Sequence, residues 1–181
     1  MVCILLGNGF EEAEALVPAD LLHRAGVEVS LTALDGEFVT GSHNITVKAD
    51  TTLDHVDPTA VELVMLPGGL GGVKALGDDP RTAPFVRSVL DRGGLVAAIC
   101  AAPTLLAAFG LLDGKKAVCY PGMEGEMVGA LPQPSVPFVV DGSIITGEAA
   151  GSAFPFGLKL VEILRGLEAA QKVKDAVHYH G

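Results

Sequence analysis

The amino-acid sequence predicts a single α/β domain with a mainly parallel sheet and helices on both faces. Short apolar runs alternate with longer segments of helical periodicity, which is the pattern of βαβ units. The length of 181 residues suits one domain with one substantial core. No internal repeat, low-complexity segment or linker divides the chain. We therefore expect one domain over residues 1–181.

The chain begins with a strand, a helix and a second strand. The apolar run Val2–Leu6 predicts a buried strand. Phe10–Ala25 has the pattern of a helix, and acidic residues in its first turn favour the positive end of the helix dipole. Val27–Ala33 predicts the second strand. Pro18 lacks the N–H that the carbonyl of Glu14 would accept, so we expect a kink in this helix.

The remaining elements follow from apolar periodicity interrupted by Gly and Pro. The segment Asp35–Val47 predicts a hairpin of two short strands at the sheet edge. Further strands are predicted at Glu62–Leu66, Leu95–Ile99, Ala117–Cys119, Phe138–Val140 and Ile144–Thr146. Further helices are predicted at Val73–Leu76, Asp79–Arg92, Pro103–Phe109, Ala153–Arg165 and Leu167–Val177.

Composition excludes several classes of partner. The net charge of −10 leaves no basic surface for nucleic-acid phosphates. The uncharged segment 93–112 is long enough for a membrane span, but its alanines and Pro103 predict a buried strand and helix instead.

The sequence also indicates where the protein is located. No basic region precedes the first apolar run, so no secretory signal is predicted. Three scattered cysteines without metal-binding spacing fit a reduced, cytoplasmic protein without a metal site.

Three loops are expected to form the functional site, because ligands of parallel sheets bind at the carboxyl ends of the strands. These loops are 7–14, 67–72 and 99–104. Gly7-Asn8-Gly9 opens like a dinucleotide-binding fingerprint, but Glu12 replaces the third glycine and the acidic helix start disfavours a pyrophosphate. The glycine-rich segment 68–72 lacks the lysine spacing of a P-loop. No nucleotide cofactor is predicted.

Cys100 is the candidate nucleophile. It lies between a predicted strand and a helix that begins near Pro103, and its small neighbours Ala98, Ala101 and Ala102 suit a strained strand-to-helix turn. A helix N-terminus favours the thiolate and predicts a lowered thiol pKa. The alternative is an inert core cysteine in an alanine-rich segment.

Glu14 is the candidate acid or base. Its carboxylate is expected at the carboxyl edge of the sheet. The backbone there is expected to be irregular, because Pro18 cannot donate a hydrogen bond to the Glu14 carbonyl. The alternative is a solvated first-turn glutamate, which is how we interpret Glu11 and Glu12.

Four motifs carry a resemblance to a known family. They are Gly-Phe-Glu-Glu-Ala-Glu (9–14), Leu-Pro-Gly-Gly (66–69), Ala-Ala-Ile-Cys-Ala-Ala-Pro-Thr (97–104) and Thr-Gly-Glu-Ala-Ala-Gly-Ser-Ala (146–153). In order and coverage the chain resembles the ThiJ/PfpI superfamily, in the branch of the human parkinsonism-associated protein deglycase. The resemblance implies a flavodoxin-like three-layer sandwich of the class I glutamine-amidotransferase-like type, usually as a homodimer.

The resemblance also implies roles for residues and an activity. Cys100 would lie on a nucleophile elbow, and a protonated Glu14 would hydrogen-bond its thiolate. The backbone of Gly68 and Gly69, together with Ala101, would stabilise an oxyanion. Members are assigned a cofactor-independent glyoxalase activity that converts methylglyoxal to lactate, or a deglycase activity on glycated proteins. Others are described as peroxide sensors or chaperones.

The chain departs from this branch near the cysteine. Tyr120 stands where the branch has a histidine, and a phenol would mainly donate a hydrogen bond rather than shuttle protons near neutral pH. Cys119 matches no family cysteine: it would resolve a sulfenic acid if it approached Cys100, or else fill space as a small buried residue. Arg24 and His43 are expected near a subunit interface close to the site.

Two functions remain after the alternatives are weighed. A protease of this superfamily would have a histidine where Ala101 stands, an amidotransferase needs a late His-x-Glu that is absent, and no extra acid for a hydratase is found. The first function is an enzyme that takes a small aldehyde or glycated substrate through a hemithioacetal on Cys100. The second is a redox-sensing protective protein or chaperone whose Cys100 is oxidised to a sulfinate without turnover.

Overall fold

The computed structural model describes residues 1–181 and contains eleven strands and six α-helices. The strands are β1 (Val2–Leu6), β2 (Val29–Ala33), β3 (Phe38–Thr40), β4 (Thr46–Lys48), β5 (Thr51–Thr52), β6 (Leu63–Leu66), β7 (Leu95–Ile99), β8 (Lys116–Ala117), β9 (Leu131–Pro132), β10 (Phe138–Asp141) and β11 (Ile144–Gly147). The helices are α1 (Glu12–Arg24), α2 (Leu70–Asp78), α3 (Thr82–Asp91), α4 (Ala102–Ala108), α5 (Ala153–Arg165) and α6 (Leu167–Ala176).

A seven-stranded sheet in the order β10-β11-β7-β6-β1-β2-β5 forms the centre of the molecule. All neighbouring strands are parallel except β10, which runs antiparallel to β11. Because β6 pairs with both β1 and β7, the loops that follow these three strands emerge side by side at one edge of the sheet. This arrangement brings together the three loops that the sequence predicted to form the site.

The core lies on both faces of the sheet, as the alternation of side chains along a strand requires. In β1, Val2, Ile4 and Leu6 pack on the face covered by α1, α5 and α6. Cys3 and Leu5 pack on the opposite face, covered by α2, α3 and α4. The predicted α/β sandwich with helices on both faces is therefore confirmed.

Most predicted elements are observed within two or three residues of their predicted ends, and β1, β7 and α5 match exactly. The hairpin of β3 and β4 exists, but the prediction that it lies at the edge of the main sheet is wrong, since the pair forms a separate two-stranded sheet. The short strand β5 takes the edge position instead. β8 pairs with the unpredicted strand β9 in a third small sheet.

Two predictions concerned unusual segments. Residues 93–112 contain β7 and α4, as expected, and no helix of the structure is long and apolar enough to cross a bilayer.

Helix α1 continues through Pro18, which is buried against Gly157 of α5. A side chain at Gly157 would overlap Leu21 and Pro18, so the two helices approach closely at this point.

Candidate active site

Three loops join at the carboxyl edge of the sheet through their backbones. The Glu11 N–H donates to the Gly68 carbonyl at 2.9 Å, which ties the loop after β1 to the loop after β6. Gly69 has a φ of 84° and lies so close to the backbone of residues 9–11 that no side chain fits there. These contacts fix the start of α1 against the start of α2.

Cys100 occupies a strained turn between β7 and α4. Its φ of 66° is in the left-handed region, where residues other than glycine are uncommon. The backbone holds it there: its N–H donates to the Gly147 carbonyl at 3.0 Å, and its carbonyl accepts from the Tyr120 N–H at 2.8 Å. The neighbouring alanines are almost fully buried, whereas Cys100 itself is partly exposed. This is the geometry of a nucleophile elbow.

Glu14 lies beside the cysteine in the first turn of α1. Its side chain is buried, and its Oε2 accepts a hydrogen bond from the Gly68 N–H at 2.8 Å. A methyl group added at Gly68 would come within 3.0 Å of Glu14 Oε2, Cys100 Cβ and Cys100 Sγ. The carboxyl and the thiol therefore lie side by side over Gly68. The other carboxyl oxygen, Oε1, is buried without a nitrogen or oxygen partner and is the atom left to carry a proton.

The Glu14 carboxyl and the Cys100 thiol lie so close that a negative charge on one disfavours ionisation of the other. Burial is the largest influence on Glu14 and raises the pKa of its carboxyl to about 7, although hydrogen bonds from Cys100 and Gly68 oppose this shift. Burial also raises the pKa of the Cys100 thiol, and the charge of Glu14 raises it further. The predicted lowering of the thiol pKa is therefore wrong, because burial and the charge of Glu14 together outweigh the backbone donors. A protonated Glu14 removes that repulsion, so the pair titrates as a unit that holds one proton above neutral pH.

Two backbone N–H groups interact with the Cys100 sulfur. Those of Ala101 and Gly69 hydrogen-bond to Cys100 and lower the pKa of its thiol, opposing the effect of burial. The Gly68 N–H, which the sequence assigned to an oxyanion, donates instead to Glu14. Two donors, Ala101 and Gly69, thus remain next to the reacting atom.

An open cleft of about 520 Å³ lies over Cys100. Leu70, Tyr120 and Met123 contribute to its walls, and the carboxylates of Glu11 and Glu126 also line it. Tyr120 is 49% exposed, and its backbone contacts Cys100 as described above. Sequence reasoning singled out Tyr120 but missed the segment 121–126, which follows it without a regular apolar or glycine pattern.

Glu12 is buried, so its interpretation as a solvated residue is wrong. Its Oε1 accepts from the backbone N–H groups of His43 and Ile45, and its Oε2 lies 3.0 Å from His43 Nδ1. Burial alone would raise the pKa of Glu12, but these hydrogen bonds outweigh it and lower the pKa to about 2. The carboxylate fits there because Gly41 has no side chain to fill the space. The glycine at position 41 is the one feature of the sequence that could have indicated a buried Glu12.

The two predicted interface residues lie in different places. His43 is exposed and contacts Glu11 and Glu12, and the hydrogen bond with Glu12 is the first cause of its raised pKa. Arg24 lies at the last turn of α1, pairs with Asp20 at 2.7 Å and does not line the cleft.

The side chains of Glu11, Glu12 and His43 each offer an atom that could ligate a metal ion, and these atoms lie within 4.8 Å of one another. The two carboxylates already accept hydrogen bonds from Ser42 and from the backbone.

The glycines that resembled a nucleotide-binding loop serve to pack the backbone. Side chains at Gly9 or Gly72 would overlap the facing loop, so the segment 7–10 and the start of α2 touch directly. Asp35, at the distance expected of a ribose ligand, pairs with Arg81 at 3.1 Å. The close approach of the two backbones therefore accounts for glycine at positions 9 and 72.

Cys119 and Cys100 lie in different parts of the core. Cys119 is 2% exposed and packs with the residues on the α2–α4 face, whereas Cys100 borders the core on the opposite face. The sulfur of Cys119 contacts the Tyr120 carbonyl at 3.5 Å. The structure therefore places Cys119 as a small buried residue, and all three cysteines are free. Cys3 is fully buried in β1, as expected.

Comparison with known proteins agrees with this architecture. Residues 1–163 match the model of the DJ-1/PfpI family. The chain is 41% identical over 172 residues to protein dj-1beta of Drosophila melanogaster, covering 94% of this chain and 92% of that protein. It is 29% identical over 165 residues to a deglycase of Pyrococcus horikoshii, covering 91% of this chain and 99% of that protein.

Solved structures show the same fold along the whole chain. A DJ-1 superfamily protein from Salmonella typhimurium, solved as a cysteine-to-alanine mutant, superposes with a TM-score of 0.94 at 33% identity, covering 99% of this chain and 98% of that one. Oxidised DJ-1 of Toxoplasma gondii gives a TM-score of 0.92 at 32% identity, covering 99% and 98% of the two chains. The family match, the level of identity and the shared flavodoxin-like fold lead to one conclusion: this chain belongs to the DJ-1/PfpI family.

Proposed function

We propose that this protein is a cofactor-independent cysteine enzyme that acts on reactive aldehydes, with glyoxalase- or deglycase-like activity. The observation that carries the proposal is the juxtaposition of Cys100, on its strained turn, with the buried carboxyl of Glu14 under an open cleft. Relatives named deglycases support it. The cleft suits a small substrate, because it reaches the sulfur yet leaves Glu14 buried.

The first step is addition of the Cys100 sulfur to the aldehyde, and the thiol proton passes to the carboxylate of Glu14 as the thiolate forms. The Cys100 sulfur forms a bond to the carbonyl carbon, and the π electrons move to the oxygen. The N–H groups of Gly69 and Ala101, which lower the pKa of the thiol, are the donors proposed for this oxyanion. Glu14, whose pKa near 7 keeps a proton available at neutral pH, supplies it to give the hemithioacetal.

The second step converts the adduct to a hydroxy acid. With methylglyoxal, the carboxylate of Glu14 removes the proton from the former aldehyde carbon and returns it to the neighbouring carbon. The hydroxyl proton of the adduct passes to the oxygen of that neighbouring carbon, so that the first carbon becomes the carbonyl of a thioester on Cys100 and the second carries the hydroxyl. Water then cleaves the carbon–sulfur bond, releasing lactate and restoring the thiol. Methylglyoxal and one water thus give lactic acid, with no net oxidation and no cofactor.

The test is a comparison of two glutamate variants in lactate formation from methylglyoxal without glutathione. Glu14→Gln keeps the size of the side chain but cannot give or take the proton, so turnover should fall by about a hundredfold or more. Glu28→Gln, at an exposed position just before β2, removes the same charge away from the site and should leave turnover unchanged. Equal turnover in both variants would overturn the assignment of Glu14.

A second function is favoured by a specific finding, since one structural relative is recorded in its oxidised form. In that case peroxide would oxidise the Cys100 thiolate to a sulfenate, and a second peroxide would give the sulfinate, each releasing one water. The donors around the sulfur would hydrogen-bond the sulfinate oxygens. Stoichiometric gain of two oxygen atoms at Cys100 by mass spectrometry, without lactate formation, would favour this sensor function over the enzyme.

A further inference from the structure

The cleft over Cys100 carries two negative side chains and no positive one. Among the ten residues that line it, Glu11 and Glu126 are acidic and none is Lys, Arg or His. A cleft lined by one sign of charge concentrates ligands of the opposite sign, because its low-dielectric walls focus the field. The selectivity of the site for charged substrates is therefore built into its lining.

Glu126 is free to contact a ligand. It is exposed in the short helical turn Glu124–Glu126, and its carboxylate has no hydrogen bond or ion pair with any part of the chain. Its neighbour Glu124 differs, because its Oε2 accepts a hydrogen bond from the Gly122 N–H at 2.9 Å. Glu126 thus faces the cleft as an uncommitted negative charge.

Glu11 contributes a second negative charge to the lining of the cleft. Its Oε2 accepts a hydrogen bond from the Ser42 hydroxyl at 3.1 Å, and this neutral donor leaves the charge in place. His43 lies closer to Glu12, at 3.0 Å, than to Glu11, at 3.4 Å. The field of Glu11 reaches the reactive pair, since it contributes to the raised pKa of Glu14.

Apolar and aromatic side chains line the cleft together with these charges. Leu70 and Tyr120 both have exposed surface and both line the cleft, and an aromatic ring such as that of Tyr120 is a group that attracts cations. We propose that the site selects carbonyl compounds that carry a cationic group, such as an ammonium, over neutral and anionic ones. In this assignment Glu11 and Glu126 are the specificity-determining residues, and the carbonyl reaches Cys100. The inference rests on the proposed aldehyde chemistry and names its substrate class.

The test compares two aldehydes of the same shape as protectants of Cys100. Trimethylammonioacetaldehyde is cationic, and tert-butylacetaldehyde is its neutral carbon isostere. Each is added before neutral methyl methanethiosulfonate, which Cys100 attacks to form a mixed disulfide while methanesulfinate leaves. Peptide mass spectrometry measures the fraction of Cys100 modified, and each half-protection concentration is normalised to the hemithioacetal equilibrium of that aldehyde with mercaptoethanol.

The expected result is protection by the cation at about tenfold lower normalised concentration, because two carboxylates face it across a partly desolvated cleft. Glu126→Gln should reduce this preference by about threefold or more, and high salt should weaken it. Glu28→Gln is the matched control for net charge and should leave the preference unchanged.

The outcomes separate the inference from the function on which it rests. Equal protection by both aldehydes, or a preference that Glu28→Gln reduces as much as Glu126→Gln, would overturn charge selection while leaving aldehyde addition intact. Protection by neither aldehyde would overturn the aldehyde chemistry itself and the inference with it.

Discussion

The Gly68 N–H donates a 2.8 Å hydrogen bond to Oε2 of Glu14, and this bond orients the carboxyl beside the Cys100 thiol. It joins the loop after β6 to the first turn of α1. One carboxyl oxygen is thereby fixed as an acceptor, and the other, buried without a nitrogen or oxygen partner, is left to hold the proton. The chemistry of the site depends on which of the two groups, Glu14 or Cys100, carries that proton.

Replacement of Gly68 by alanine should disrupt this arrangement. The added methyl group would come within 3.0 Å of the Glu14 carboxyl and of Cys100 Cβ, so one of them must move. We expect Gly68→Ala to lower the free energy of unfolding by about 2 kcal/mol and to abolish lactate formation. Chemical denaturation and the turnover assay measure the two effects.

Gly151→Ala is the control for this substitution. A methyl group at Gly151 meets no atom within 4 Å, so its effect on the free energy of unfolding should stay below about 0.5 kcal/mol. A Gly68→Ala variant as active and stable as Gly151→Ala would show that the Glu14 carboxyl does not need its present position.

The raised pKa of Glu14 should make the protein less stable as pH rises. The folded state holds this proton up to about pH 7, whereas an unfolded glutamate releases it near 4.5. The stability that this group contributes is therefore complete below pH 4.5 and is lost as pH rises through 7.

Glu14→Gln should remove this loss, because an amide does not ionise. Relative to the native protein the variant should gain up to about 3 kcal/mol in free energy of unfolding between pH 4 and pH 8. Denaturant titrations at a series of pH values measure the difference. A difference between the two proteins that is independent of pH would contradict the buried, protonated state of Glu14.

The lowered pKa of Glu12 should have the opposite effect. Its folded carboxylate stays ionised to about pH 2, so its contribution is present above pH 4.5 and is lost as pH falls toward 2. Glu12→Gln cannot accept all the hydrogen bonds from His43 and Ile45, and we expect it to cost about 2 kcal/mol at neutral pH. Denaturant midpoints should converge with those of the native protein in acid, and a constant gap would argue against the ionised network.

Tyr120 should limit the rate of proton transfer in the cleft. A histidine with a pKa of about 6.5 exchanges protons at neutral pH far better than a phenol. We expect Tyr120→His to raise lactate formation by about tenfold or more and to add a pH dependence near 6.5 to the rate. Tyr120→Phe is the control for loss of the hydroxyl alone, and identical rate–pH profiles for the two variants would refute this role of position 120.

The fold could be predicted because its apolar runs are local and regular. β1, β7 and α5 are continuous apolar or periodic segments, and their positions follow from burial alone. The edge strand β5 could not be predicted in this way, since it has only two threonines and pairs with β2 across the intervening hairpin of β3 and β4. Such pairings depend on tertiary contacts and not on propensity.

The residues of the candidate site could be predicted where a neighbouring residue in the sequence indicates their position. Cys100 was found through its small neighbours and Glu14 through Pro18, and both lie at the expected sheet edge. Glu12 was misread because its partners, Gly41 to Ile45, come from a separate hairpin about thirty positions away. The thiol pKa was misread because the helix N-terminus was considered without burial and without the charge of Glu14.

The most direct test of the proposed chemistry is lactate formation from methylglyoxal in the absence of glutathione, with the native protein compared to Cys100→Ala. We expect steady turnover by the native protein and none above the uncatalysed rate for the variant, because the alanine cannot form the hemithioacetal. Turnover that persists in Cys100→Ala, or that is absent from both proteins, would contradict covalent aldehyde chemistry at Cys100.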